Sequence, residues 1–160
     1  MPDPIKDSLI SAQLERISSE TRLRPDIRSA IKFLSWGLAY KIIFADVLRT
    51  FHEQHNIAAS GAIDALFSIF AYSLIIYFDF WSYSLMAIGL ARFFCIDLPR
   101  NFNEPYMSDS PRQFWRRWHI TLSFWLRDYV YLRMGGNRTY SFNIAIVFIA
   151  CGIWHGAGWN

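Results

Sequence analysis

A chain of 160 residues is long enough for one ordinary soluble domain, but 53% hydrophobic and 18% aromatic content, gathered in long blocks, argues against one. The net charge of +3 is collected in the stretches between those blocks, and no nucleic-acid-binding module is visible in it. Two polar regions, roughly 1–32 and 92–138, keep the mean hydropathy only mildly positive.

The first of these polar regions opens the chain. Residues 1–28 are polar and charged where a secretory leader has an apolar stretch, so the chain's own spans are expected to direct it into a membrane. Three blocks are candidates for spans, which need about 20 mainly apolar residues. They are residues 31–48, interrupted by Lys41 and Asp46; residues 65–91, with Asp79 near the middle; and residues 139–160, free of Asp, Glu, Lys and Arg. A charge inside a span usually faces protein or a water-filled cavity, which makes Asp79 a candidate site residue. The alternative at Asp79 is a kink between two shorter segments.

The connection at 49–64 carries Arg49 against Glu53 and Asp64. Between the second and third blocks, by contrast, eight arginines from Arg92 to Arg138 meet only Asp97, Glu104, Asp109 and Asp128. The bias of Lys and Arg toward the cytoplasm places 1–30 and 92–138 inside and 49–64 outside. His52 and His55 are three apart, not the four of a helical zinc signature, so a solvated loop pair is expected and no metal site. Cys95 and Cys151 read as small buried hydrophobes.

Pro105 and Pro111 bracket a turn-rich loop. After it, Trp115, Trp118, Leu122, Trp125 and Tyr129 share one helical face, and Arg112, Arg116, His119, Ser123 and Arg127 another. Such a helix, ended by Gly135-Gly136, is expected to lie in the membrane interface. By spacing alone it is a lipid-surface anchor.

In the last block, His155 is an imidazole in an uncharged stretch. A helix entering at about residue 139 and rising about 1.5 Å per residue would carry it deep into a bilayer. There the neutral, proton-accepting form is favoured. A lone histidine in such a place is either a structural hydrogen-bonder or a base.

Several segments bear a joint resemblance. They are Tyr77-Phe78-Asp79-Phe80, Met86 to Arg92, Leu98 to Tyr106, Phe114 to Ser123 (FWRRWHITLS), Trp125 to Tyr131, Gly135 to Arg138, and Trp154-His155-Gly156-Ala157. Together they resemble the bacterial branch of the membrane-bound O-acyltransferase family, that of the alginate O-acetyltransferases. Family members read Ser-Gly-Tyr-Ser-Asp after the FDF triplet, whereas this chain has Trp81-Ser82-Tyr83-Ser84-Leu85. It also stops five residues after His155, and is expected to be a fragment or a truncated product.

The resemblance implies an all-α polytopic transmembrane bundle in the inner membrane, with an interfacial amphipathic helix. It implies that His155 is catalytic and His119 supporting. Asp79, Arg116, Arg117, Trp154 and Asn160 are expected to bind substrate, with Asn160, Trp154 or the Gly156 amide facing the oxyanion. No cofactor is expected to be bound; acetyl-CoA or an acyl carrier would be the donor. The acceptor would be an exported polysaccharide such as alginate, and the partners lipid and polysaccharide acetylation or export proteins. The alternatives are D-alanyl or peptidoglycan acyl transfer on the same scaffold, a non-catalytic remnant or export component, and a transporter using Asp79 and His155 as a proton relay.

Overall fold

The computed structural model describes residues 4–19, 24–56 and 61–156, with the side chains of 4–10, 55 and 56 left aside. All regular structure among the described residues is helical. The helices are α1 (Pro4–Ser19), α2 (Ile27–Tyr40), α3 (Val47–Asn56), α4 (Ala62–Phe93), α5 (Pro111–Arg117), α6 (Ile120–Leu126) and α7 (Tyr140–His155). The chain divides into two compact units, residues 13–100 and residues 101–160 with 1–12.

The first unit is built on an antiparallel hairpin. Asp26 caps α2 by accepting the Ser29 amide at 3.0 Å. Helix α2 then passes without a break through a π-helical turn, Lys41–Asp46, into α3. Pairs across the hairpin run in opposite senses along the chain. Ala30 and Leu34 meet Gly89, Gly37 meets Ser82 and Met86, and His52 Nε2 shares a 2.8 Å hydrogen bond with Ser68 Oγ. The approach is close because each helix offers a glycine to the other. A Cβ at Gly37 would stand 2.8 Å from the Ser82 carbonyl oxygen, and one at Gly89 2.9 Å from that of Ala30. Small residues at helix crossings are what apolar media favour, since packing replaces the missing hydrophobic drive there.

Helix α4 has 32 residues, about 48 Å at about 1.5 Å per residue, and no interruption at Asp79. Of the described helices it alone is long and apolar enough to cross a membrane. Its outer face carries Ile63, Leu66, Ile69 and Phe70, all more than 60% exposed. Such a surface suits lipid or further protein rather than water. At its C-terminal end, Arg92 pairs with Asp97 at 3.0 Å and with Asp26 at 3.8 Å. The Asp97 amide donates to Gln13 Oε1 of α1 at 2.7 Å. The N-terminal segment and the stretch after α4 therefore share one end of this unit. The connection expected over 49–64 is in large part helical, since α3 runs to Asn56 and α4 starts at Ala62.

In the second unit, Ser110 caps α5 through the Gln113 amide at 3.3 Å, and the Gln113 side chain reaches back to the Asp109 amide at 2.7 Å. With Pro111 in the first turn, Ser110 and Gln113 form a variant of the capping box in which the return bond reaches the residue before the cap. The interfacial helix expected from residue 112 onward is not continuous. It stops at Arg117 and restarts at Ile120, then widens into a π-helical turn at Arg127–Tyr131. The aromatic and basic faces are thus divided into separate surfaces. Gly135 and Gly136 both adopt positive φ, 92° and 58°, conformations that cost glycine little. The fully buried Asn143 pins this turn to α7: its Nδ2 donates to the Gly136 and Met134 carbonyls at 2.6 and 3.2 Å, and its Oδ1 accepts from Thr139 Oγ1.

Candidate acyl-transfer site

The break in the amphipathic helix falls on the histidine. Trp118 is extended, and His119 sits at φ 41°, ψ 57°, a left-handed conformation rarely taken by residues other than glycine. The backbone is held there by the loop that precedes α5. The Asn103 amide donates to the Arg117 carbonyl at 3.0 Å, and the Ile120 amide to the Asn101 carbonyl at 2.9 Å. Asn101 Oδ1 accepts from the Thr121 amide at 3.3 Å and from Thr121 Oγ1 at 2.6 Å. A helix running through 117–121 would have bonded the Arg117 carbonyl to the Thr121 amide. Here both groups are claimed by the loop, and that is why the periodic pattern fails as one helix.

The break turns neighbouring side chains in different directions. Trp118 packs inward, edge-on to the buried Phe102 at 5.1 Å and stacked on Phe114 at 5.5 Å. Trp115 sets its edge against Phe148 of α7 at 5.5 Å. His119, half-buried, lies against Trp154 of α7, with ring centroids 5.6 Å apart. Trp154 in turn meets His155 edge-on at 4.7 Å. One indole thus contacts both imidazoles. Burial, and after it the nearby His155, pushes the His119 pKa below the usual histidine value, so His119 is neutral at pH 7. His155 closes α7 beside Gly156, whose φ is 111°, and it is exposed in this chain rather than buried as its apolar neighbours suggested. The Gly156 amide donates to the Ile153 carbonyl at 3.1 Å, which removes it as an oxyanion donor.

The other site candidates lie elsewhere. Arg116 is exposed on α5, whereas Arg117 Nη1 is spent on the Glu104 and Met107 carbonyls, both at 3.3 Å. Asn160 lies outside the described residues. Asp79 belongs to the hairpin unit. Its two oxygens take Lys41 Nζ and Arg49 Nη2, each at 2.7 Å. The π-helical turn brings Lys41 in line with Asp46 as well, five residues on and 2.8 Å away. In the same stretch of the hairpin, Phe78 stacks on Phe44 at 4.9 Å, and Trp81 lies on Tyr40 at 4.3 Å and Tyr77 at 5.3 Å. Asp79 is therefore a counter-ion to two cations, partly open to its surroundings. Lys41 and Arg49 were missed as its partners, although Lys41, a cation within an apolar block, was a usable signal. Among the described residues no cluster of three or more potential metal ligands occurs.

Described residues that form helices alone, one of them apolar and of spanning length, fit the class of membrane proteins. More narrowly, the model of the membrane-bound O-acyltransferase family matches residues 8–160, and the chain belongs to that family. It is 42% identical over 141 residues to a peptidoglycan O-acetyltransferase of Helicobacter pylori, covering 84% of this chain and 27% of that protein. It is 44% identical over 130 residues to a probable alginate O-acetylase of Azotobacter vinelandii, covering 78% and 26%. A teichoic acid D-alanyltransferase of Bacillus subtilis is 34% identical over 133 residues, covering 75% and 34%. The chain thus spans about a quarter to a third of the length of these relatives.

Proposed function

We propose that this chain is the histidine-bearing part of a multi-pass, inner-membrane O-acyltransferase that moves an acetyl group from a cytoplasmic thioester to hydroxyls of an exported polysaccharide. The observation that carries the reading is the meeting of His119 and His155 on Trp154, within a family-matched segment. The acceptor hydroxyl oxygen attacks the thioester carbonyl while His155 takes its proton. The tetrahedral intermediate then collapses, forming the ester and expelling the thiolate, which recovers the proton from the imidazolium. His119, kept neutral by burial, supports that cycle beside the indole, and the Trp154 N–H and Asn160 are the candidate donors to the oxyanion.

Acetyl-CoA or an acyl carrier supplies the thioester in this reading. The exposed Arg116 and Arg112 face its phosphates, and Arg117 supports them by fixing the preceding loop. The shared end of α1, α2 and the post-α4 stretch agrees with a cytoplasmic location for both polar regions. The partners are the polysaccharide and the proteins that export and acetylate it. A second reading is favoured by one observation. The peptidoglycan O-acetyltransferase is as similar as the probable alginate O-acetylase, and over more of the chain, so peptidoglycan is an equal acceptor candidate.

The test is to quantify O-acetyl esters on extracellular polysaccharide and on purified sacculi, comparing wild type with His155→Ala at matched membrane abundance. Loss of ester from one of these polymers supports the reaction and names the acceptor. Unchanged ester on both returns His155 to a structural role and favours a non-catalytic part of an export complex.

A further inference from the structure

The left-handed backbone of His119 is an uncommon conformation that must be held by its surroundings. Its supports come from the LPRNFN segment: the Asn103 amide holds the Arg117 carbonyl before it, and Asn101 supplies all the bonds after it. The Asn101 carbonyl accepts the amide of Ile120, the residue next to His119, at 2.9 Å. The Asn101 side-chain oxygen accepts both the amide and the hydroxyl of Thr121, at 3.3 and 2.6 Å. Helix α6 therefore starts on Asn101 rather than on a side chain of its own, since His119 provides no capping hydrogen bond. Where Asn101 holds the start of α6, the imidazole is presented to Trp154.

We infer that Asn101 is a positioning residue for acyl transfer, borrowed from a separate loop to cap α6 and thereby hold the His119 ring against Trp154. The inference rests on the acyl-transfer reading above, and it assigns Asn101 no contact with substrate. The chemistry required at position 101 is a short side chain with an acceptor oxygen. Aspartate meets that need and alanine does not. Small displacements of a catalytic group cost large factors in rate while leaving substrate binding almost intact.

The experiment uses the full-length protein in membranes, with wild type, Asn101→Ala and Asn101→Asp at matched abundance. Two readouts are taken: ester-forming turnover against acyl-donor concentration, and the rate at which diethyl pyrocarbonate modifies His119, followed by mass spectrometry. Asn101→Ala is expected to lower kcat about 10- to 100-fold with donor KM within about twofold, and to speed His119 modification several-fold. Asn101→Asp is expected to restore both readouts to within about threefold of wild type. Unchanged His119 modification in Asn101→Ala overturns the inference, as does an Asp variant that behaves like Ala. Faster modification with unchanged turnover overturns it too, and places the fault in the role given to His119 rather than in the cap.

Discussion

The ring of Trp154 stands between two histidines, its centroid 5.6 Å from that of His119 and 4.7 Å from that of His155. A ring in contact with His119 contributes to the burial that lowers its pKa. Trp154→Ala should therefore expose His119 and let its pKa rise toward the ordinary 6.5. The acidic limb of kcat/KM is expected to move to higher pH, with turnover at pH 7 down about 10-fold or more. Ester formation measured from pH 5 to 8 checks this, and an unmoved limb would detach Trp154 from the histidine.

The same depression of the His119 pKa links stability to pH. The unfolded chain binds a proton at His119 near pH 6.5, whereas the folded chain binds it only at lower pH. The stability that depends on neutral His119 is complete above about pH 6.5 and declines as pH falls below it. His119→Gln, which stays neutral and polar, should flatten that part of the profile. Thermal unfolding in detergent between pH 5 and 7.5 provides the comparison.

Asp79 accepts from both Lys41 and Arg49 at 2.7 Å, and removing its charge leaves Arg49 without this partner and Lys41 with Asp46 alone. Asp79→Asn is expected to destabilise by about 1.5–3 kcal/mol, the range for hydrogen bonds to charged groups. Lys41→Met should cost less, because Asp79 keeps Arg49. If Asp79→Asn instead abolishes ester formation at an unchanged melting temperature, Asp79 binds substrate.

Gly37 and Gly89 set the spacing of the hairpin, since a Cβ at either would enter within 3 Å of backbone. Gly89→Ala is expected to cost about 1–3 kcal/mol through overpacking. Gly152→Ala, with nothing within 4 Å of its added Cβ, should be neutral or slightly stabilising. Melting temperatures of the two variants side by side decide this.

Asn143 makes three hydrogen bonds in a fully buried site at the foot of α7. Asn143→Leu, close in size, should cost about 1–3 kcal/mol by stranding the Met134 and Gly136 carbonyls. Because α7 carries Trp154 and His155, ester formation should fall with it, whereas the neutral surface change Tyr140→Phe should leave both readouts unaltered.

The helical character of the described residues, the apolar block around Asp79 and the turn at Gly135-Gly136 were all legible in the amino-acid order. Each is a local property, carried by composition and by side chains a few residues apart along one backbone. The length of α4 follows in the same way from an unbroken apolar run, although one aspartate in it was equally compatible with a kink.

Tertiary structure alone decided three things. The helix expected through His119 is broken because amide and carbonyl groups of 117–121 are taken by Asn101 and Asn103, a competition that periodicity within the helix cannot register. The partners of Asp79 lie 38 and 30 residues away in sequence, across the hairpin, where periodicity along one helix cannot pair them. His119 and Trp154 meet only because α7 folds back onto α5 and α6, with Trp115 on Phe148 holding that contact. Sequence alone therefore specifies the local elements. The site arises where distant groups compete for the same hydrogen bonds and ring faces, and that competition is settled only in three dimensions.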